Sequence, residues 1–469
     1  MEFDGGKIMK ITLVQMLDAR ERRAQRQREL LKAYPGHTLI SFTMNIAGPV
    51  KNSPLIREGF LLGKDLLLGQ LSARGFSVLF SEEIDEATGS EALFVLDGAS
   101  ADVKKMTVFL EDHTIAGRLF DMDVLSLDGE KIDRCSLGFS PRKCLLCGKE
   151  AALCARSRAH SLSLLCKETE WILLKAVRES RCRRIARLAC QALLYEVAVT
   201  PKPGLVDREN SGSHQDMDFF TFQASASALW PYFFESAGIG MDTKTLPPDQ
   251  TFSHLRISGQ LAEGRMYEAT GGVNTHKGAI FSLGVLCGAL GRLERSSWKE
   301  SEQVLSECAA LTRGITERDF AGLTPETANT AGQKLYLSFG ITGVRGQAEK
   351  GFPLVLDGLS VLERALASGR SINDAGCIAF LSMLSQNEDT NLIRRGGYAL
   401  QKRLANDLSY SLKKDGFPDM ESIRRMDQSF IEQNLSPGGT ADLLAMVFML
   451  HFLKENENGR LWYTNDRGV

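Results

Sequence analysis

The residues best suited to chemistry crowd into short polar corners. From Thr270 to Gly284 the chain reads TGGVNTHKGAIFSLG, which sets Gly271, Gly272, Asn274, His276 and Lys277 ahead of an apolar run. Four companions follow the same plan: TPKPGLVDRENSGSHQDMDFF (Thr200–Phe220), FGITGVRGQAEKGFP (Phe339–Pro353), DTNLIRRGG (Asp389–Gly397) and NLSPGGTADLLA (Asn434–Ala445). Glycines such as Gly438 and Gly439 let a backbone approach a ligand closely, and a helix that starts there aims its N–H groups at an anion. Lys202, Lys277, Arg345 and Arg395 would neutralise phosphates, the arginines by bidentate contact. Asp216 and Asp218 would hold Mg2+ between phosphate oxygens, with Asp389 and Asp442 adding carboxylates. Taken singly, each corner reads equally as a turn or a cap, and His276 as a structural histidine. Five of them in one helical half point to a shared phosphate and metal site.

A second set lies nearer the start. Lys51 stands in GPVKNS, after a strand-like run, where it would meet a phosphate. GRLFDMDV places Asp121 and Asp123 at i and i+2, on one face of a strand. Two carboxylates so placed are what a nucleotidyl-transfer site uses to share Mg2+ with a pyrophosphate leaving group; a solvent-facing strand is the plainer alternative. RKCLLCGKEAALCARSRAH carries Cys144, Cys147, Cys154 and His160, a donor set for a structural Zn2+ or else a group of inert thiols.

The elements that must position these residues fall into two textures. The first half reads as α/β (or α+β). A helix is expected from Thr12 to Ala33, stopped by Pro35 and Gly36. HTLISFTMNI, FSVLF, ALFVLD and MTVFLE read as strands, and GRLFDMDVLSLDGE as a strand pair turning at Asp128-Gly129. From about Arg183 the chain is mainly α-helical: ARLACQALLYEVA, FQASASALWPYF, GAIFSLGVLCGAL, AGCIAFLSML and TADLLAMVFMLHFL repeat apolar residues at helical spacing. Glu170–Arg184 is the expected hinge between the halves. A multidomain chain is predicted, with domains at 1–180 and 181–469.

The 469 residues, 43% hydrophobic and 24% charged, are too many for one ordinary core and too apolar for disorder. A net charge of −2 points to no polyanion, so no nucleic-acid partner is expected. No 18-residue apolar run suggests a membrane span, and no apolar leader follows Met1. Ten cysteines without a regular framework fit a reducing cytoplasm.

The five corners of the second half, in order, resemble the triphosphoribosyl-dephospho-CoA synthase family over about Arg183–Leu453. That resemblance implies an all-helical domain. It would join ATP to 3′-dephospho-CoA and release adenine, with Mg2+ implied by the ATP chemistry. Expelling adenine from the ribose builds oxocarbenium character at C1. Asp216 and Asp218 would then serve Mg2+ or C1, and His276 or His214 would take the proton of the incoming 2′-hydroxyl. Lys202, Lys277, Arg345 and Arg395 would clamp the triphosphate, which no Walker loop cleaves. The family pattern carries a glutamate where this chain has Gln347.

In the first half GPVKNS, GRLFDMDV and RKCLLC…CARSRAH resemble the holo-citrate lyase synthase family, over roughly Leu17–Leu165. That family attaches phosphoribosyl-dephospho-CoA to a serine of the apo acyl carrier subunit of citrate lyase and releases pyrophosphate. His113 stands one residue away from the position of a family histidine. Arg142–Arg187 holds twelve Lys or Arg against four Glu, either a docking face for an acidic carrier or a solvated helix. Together the halves would make and attach one prosthetic group. The rival readings are the same service for malonate decarboxylase, or a catalytically degenerate scaffold.

Overall fold

The computed structural model describes residues 9–126, 128–414 and 418–457. The chain divides into two compact units, Met1–Ser180 and Arg181–Val469.

The first unit carries α1 (Leu13–Ala33), β1 (Thr38–Met44), α2 (Pro54–Ala73), β2 (Ser77–Glu86), β3 (Gly89–Asp97), α3 (Ser100–His113), β4 (Phe120–Leu125), α4 (Ala151–Ser157) and the start of α5 (Leu162–Ala198). α1 opens on a capping box: Thr12 Oγ1 accepts from Gln15 N–H, and Gln15 Oε1 accepts from Thr12 N–H. The four strands form an antiparallel sheet in the order β2-β3-β1-β4. Leu30 of α1 packs on Leu39, Leu93 and Val95 on one face. On the other face, Phe42, Phe94, Phe120 and Met122 meet Phe60 of α2 and Met106 of α3.

Two expectations are corrected here and a third is refined. MTVFLE is not a strand but lies inside α3, because its burial recurs at Val103, Met106, Thr107, Leu110 and Glu111, a period of three to four. The pair expected in GRLFDMDVLSLDGE reduces to β4 and one isolated bridge, Leu125 to Lys131, around a turn with Gly129 at φ +80°; residue 127 of that stretch lies outside the described residues. Glu170–Arg184 does contain the boundary between the units, after Ser180, but not in a loop. It is helical within α5, where Ile172, Leu173, Ala176 and Val177 are buried on one stripe.

The second unit is helical. It continues α5 and adds α6 (Phe219–Ala228), α7 (Trp230–Asp242), α8 (Pro248–Ala269), α9 (Lys277–Arg292), α10 (Ser301–Thr312), α11 (Ile315–Phe320), α12 (Ala331–Phe339) and α13 (Gly343–Glu349). α14 (Pro353–Ala367), α15 (Ile372–Leu384), α16 (Thr390–Gly396), α17 (Tyr398–Lys414), α18 (Met420–Glu432) and α19 (Gly438–Glu457) complete it. FQASASALWPYF is two helices rather than one, since Pro231 lacks an N–H and so sits in the first turn of α7. α9 and α19 are the buried axes, with all of Ala279–Leu290 except the partly buried Phe281, and Leu443–Leu453, inside the core. α9 lies hard against α7: a Cβ on Gly291 would stand 2.2 Å from the Ala237 carbonyl oxygen, so only glycine allows that approach. Among the described residues, no helix is long and apolar enough to cross a membrane.

Candidate functional site

The corners of the second unit converge. The first turns of α9, α12, α13, α16 and α19 all line one cavity of about 640 Å3. A helix N-terminus presents N–H groups without internal partners and a partial positive charge. Several such ends facing one space make an anion site of the size that small-molecule ligands use, about 300–1,000 Å3. Lys202, Asp216, Asn274, His276, Lys277, Arg345, Asp389, Arg395, Gly438 and Gly439 all line it, together with Asp442 and Gln347.

The cations are held by partners. Lys277 Nζ meets Glu263 at 2.7 Å, and Arg345 Nε meets Asp319 at 2.6 Å. Arg395 Nη1 donates to the Ser213 carbonyl and to Asn434 Oδ1, both at 2.9 Å. Lys202 is the exception to an exposed phosphate cation. It is buried, ion-paired to Glu196 Oε1, and donates to the Glu196 carbonyl at 2.7 Å. Its corner is pinned from below: Asp207 Oδ2 accepts Lys202 N–H, and Asp427 accepts from Gly204 N–H and from the Asn210 amide.

The carboxylates differ sharply. Asp389 is sealed, with Oδ1 accepting from Asn391 and Leu392 N–H and Oδ2 from Thr440 N–H and Oγ1. Burial nevertheless pushes its carboxyl upward. Asp442 is the fifth residue of α19, because that helix begins at Gly438 rather than at Thr440. Burial, and then the facing Glu196 and Asp389 carboxylates, push Asp442 well above the usual carboxylate range. Asp216 is largely exposed at 65% of its side chain, 3.8 Å from His214 Nδ1 and near Arg395. His214 donates or accepts at Ser436 Oγ over 2.9 Å, and burial followed by the Arg395 charge lowers its basicity.

His276 is buried, with Nδ1 2.7 Å from Ser225 Oγ. Burial, and secondarily the Lys202 charge, brings it down to about 3, so the ring is neutral at physiological pH. Its Nε2 and the Oε1 of Gln347 are buried polar atoms with no hydrogen-bond partner, and both residues line the cavity. Orphaned groups of that kind are costly unless a ligand or water satisfies them.

Not every expected residue arrives. Asp218 lies outside the cavity lining: its carboxylate caps α6 by accepting from Thr221 N–H and Oγ1. Gly271 and Gly272, at φ +66° and +94°, turn the chain out of α8 and are also outside the lining. Sequence reasoning missed Glu196, which reads as one more charge in a helical run, and Arg394, which stood beside a residue already singled out.

In the first unit, burial alternates along β4, so Asp121 and Asp123 share the half-exposed face and lie opposite Thr43 and Ser41. Asp121 pairs with Arg142 Nη1 at 3.3 Å and Asp123 with Lys131 at 2.6 Å. Arg142 also donates to the Phe120 carbonyl. Behind them Glu111, raised by burial, accepts Met122 N–H at 3.0 Å. Lys51 donates to the Ile46 carbonyl at 2.5 Å, and burial followed by the nearby Arg20 charge lowers its basicity, with no β4 carboxylate among the causes. His113 is exposed, stacked on Phe109.

A sheet unit with paired strand carboxylates and a helical unit whose cavity gathers several helix N-termini fit a nucleotide-handling transferase of two parts. The comparisons give the class its particulars. Residues 182–461 match the CitG family, ATP:dephospho-CoA triphosphoribosyl transferase, and residues 11–176 match the CitX family, apo-citrate lyase phosphoribosyl-dephospho-CoA transferase. The Protein CitXG of Leuconostoc mesenteroides subsp. cremoris is 33% identical over 465 residues, covering 96% of this chain and 98% of that protein. The Protein CitXG of Haemophilus influenzae is 35% identical over 456 residues, 94% of this chain and 97% of that protein. The 2-(5''-triphosphoribosyl)-3'-dephosphocoenzyme-A synthase of Haemophilus ducreyi is 40% identical over 333 residues, 66% of this chain and 99% of that protein. The chain belongs to the CitXG-type fusions, a CitX transferase followed by a CitG synthase, and so unites the two steps that build the citrate lyase prosthetic group.

Proposed function

We propose that the cavity of the second unit is where ATP and 3′-dephospho-CoA react. The observation that carries this is the meeting of the α9, α12 and α19 N-termini with Lys277, Arg345, Arg394 and Arg395 around one space. Those groups hold the triphosphate without attacking it. The 2′-hydroxyl oxygen of dephospho-CoA bonds to C1 of the ATP ribose, the C1–N bond to adenine breaks, adenine nitrogen takes a proton from a carboxyl group, and the carboxylate so formed takes the hydroxyl proton. Asp442 is the better proton carrier than His276. His276 at about 3 is too weak to take that proton, whereas Asp442, raised by burial and by the facing carboxylates, carries a proton it can first give up. His276 Nε2 and Gln347 Oε1 serve as neutral hydrogen-bond partners of the substrates.

The donor set also fits Mg2+. Asp216 keeps exposed carboxylate oxygens beside the arginines, and one carboxylate plus substrate phosphates is a usual Mg2+ arrangement. The ion would supply charge neutralisation to the triphosphate. Asp389, with both oxygens engaged, and Asp218, engaged as a cap, act as scaffold.

In the first unit we assign Asp121, Asp123 and Arg142 to the second step. The serine oxygen of the acyl carrier subunit attacks the α-phosphorus of the triphosphoribosyl group, and the bond to pyrophosphate breaks. The Arg142 and Lys131 pairs are partly exposed and therefore weak, so both cations are free to exchange carboxylate for pyrophosphate. A reaction that draws on ATP and dephospho-CoA supports a cytoplasmic location.

The test uses the purified full chain with ATP, 3′-dephospho-CoA and Mg2+. Free adenine and a triphosphoribosyl adduct are expected, and adding apo acyl carrier subunit should then shift its mass by the phosphoribosyl-dephospho-CoA group. Absence of adenine from the folded chain would overturn the synthase reading. Adenine without carrier modification would overturn the transferase reading alone.

A further inference from the structure

The stretch between β4 and α5 has almost no core of its own. From Asp133 to Ser161 the buried residues are Arg134, Cys144 and Cys154, the cysteines each at 9% exposure. Its regular structure is a single 3-10 turn, Cys135–Leu137, and the seven-residue α4. A segment that buries so little apolar surface does not repay the entropy of ordering it. Yet it holds a defined shape. Cys144 N–H donates to the Lys149 carbonyl at 2.6 Å, Ala151 N–H donates to the Arg142 carbonyl at 2.8 Å, and Lys143 bridges Glu150 across the turn. Gly148, at φ +68°, closes that hairpin one residue after Cys147.

Four soft donors meet where a core would be. Cys147 Sγ is 3.4 Å from Cys154 Sγ and 3.3 Å from His160 Nε2, and one ligand atom from each of Cys144, Cys147, Cys154 and His160 lies within 4.8 Å of all the others. Sulfurs bound 2.3 Å from a shared zinc stand roughly 3.8 Å apart at the corners of a tetrahedron. The four donors are already near that spacing. A disulfide between Cys147 and Cys154 would use two of them and leave Cys144 and the imidazole without purpose. Hard cations such as Mg2+ do not select thiolates, whereas three thiolates and an imidazole suit Zn2+.

We propose that Cys144, Cys147, Cys154 and His160 bind one structural Zn2+ in a closed tetrahedral site. Binding would release the thiol protons to solvent and leave no open position for substrate. The site fastens the CxxC hairpin to α4 and to the residues that lead into α5. Arg142 stands two residues before the first ligand and reaches the Phe120 carbonyl and Asp121. The metal would therefore fix the arginine that faces the β4 carboxylates.

The full chain, expressed in zinc-supplied medium and purified without chelator, should carry one zinc per chain by mass spectrometry of metals. Titrating the native protein with a mercurial should release that zinc in step with three thiols. Cys147→Ser and Cys154→Ser should lose it, while Cys135→Ser, whose thiol is exposed and outside the cluster, should keep it. Cobalt substituted for zinc should give thiolate-to-metal charge-transfer bands and tetrahedral visible absorption. Adenine release by the second unit reports folding of the variants independently. Metal-free protein, zinc retained in both variants, or a Cys147–Cys154 disulfide in the fresh chain would each overturn the proposal. Because zinc content is read directly, its failure leaves the assignments to Asp121 and Asp123 standing.

Discussion

Gly278 offers the sharpest test of the synthase cavity. It is the second residue of α9, and an added Cβ would lie 1.9 Å from Asp442 Oδ2 and 2.9 Å from its Cγ. Ordinary contact is near 3.5 Å, so in Gly278→Ala the carboxylate must withdraw by about 1.5 Å. The obstructing atoms are the end of a side chain, not backbone, so α9 itself can stay in place. A misplacement of about 1 Å at a reacting group costs on the order of 10²-fold in rate. We therefore expect kcat for adenine release to fall about 100-fold or more, with a smaller change in KM for ATP, since the cations and the α12 and α19 ends that hold the triphosphate are untouched. Stability should not fall. Alanine in place of helical glycine gains up to about 1 kcal/mol, which offsets the cost of shifting the end of the Asp442 side chain. The assay is chromatographic adenine release, paired with a thermal melt. Gly264→Ala, in exposed α8 with nothing within 4 Å of the new Cβ, is the control, expected to melt no lower and to turn over normally. Wild-type turnover by folded Gly278→Ala would refute the role given to Asp442. A lowered melting temperature would mean that α9 had shifted instead.

Other outcomes follow from the same geometry. Asp442 holds its proton in the fold at pH values where the unfolded chain has lost it, so stability declines as pH rises from about 4 towards the folded value; Asp442→Asn should remove that decline, and parallel urea midpoints from pH 4 to 8 would sink the idea. His276 behaves oppositely: it is neutral down to about 3 while the unfolded chain takes a proton near 6.5, so stability is lost as pH falls below 6.5, by about 1.4 kcal/mol per unit, and His276→Gln should flatten that loss. Asp216→Asn should depress adenine release, whereas Asp218→Ala should cost about 1 kcal/mol as a lost helix cap and leave turnover intact; equal turnover in both would remove Asp216 from the site. Asp121→Asn should abolish transfer to the carrier subunit without touching adenine release, and a parallel fall in both activities would argue against separate sites.

Much of this architecture was legible because burial leaves a period. The helices around Ala279–Leu290 and Leu443–Leu453 are so apolar that only their ends needed locating, and those ends carried the glycine corners. α3 escaped because MTVFLE is β-branched and aromatic over six residues, and its helical period emerges only when Val103 and Leu110 are taken with it. The roles of aspartates were harder. Asp216 and Asp218 look equivalent in QDMD, but one faces the cavity and the other bonds Thr221, a difference decided by where α6 begins. Glu196 gave no local sign, because its importance comes from Lys202 and Asp442, six and 246 positions away in sequence.

The pairing of Lys277 with Glu263, Arg345 with Asp319 and Lys202 with Glu196 has a kinetic consequence. Cations already matched by carboxylates project little field into solvent, so any pull on polyanions from a distance is left chiefly to Arg394 and Arg395. Nucleotide capture should then proceed at an ordinary diffusive rate and respond only weakly to added salt. Discrimination among phosphorylated metabolites would rest on what each can offer after arrival: enough negative charge to replace the resident acids, and a shape that reaches several helix ends at once.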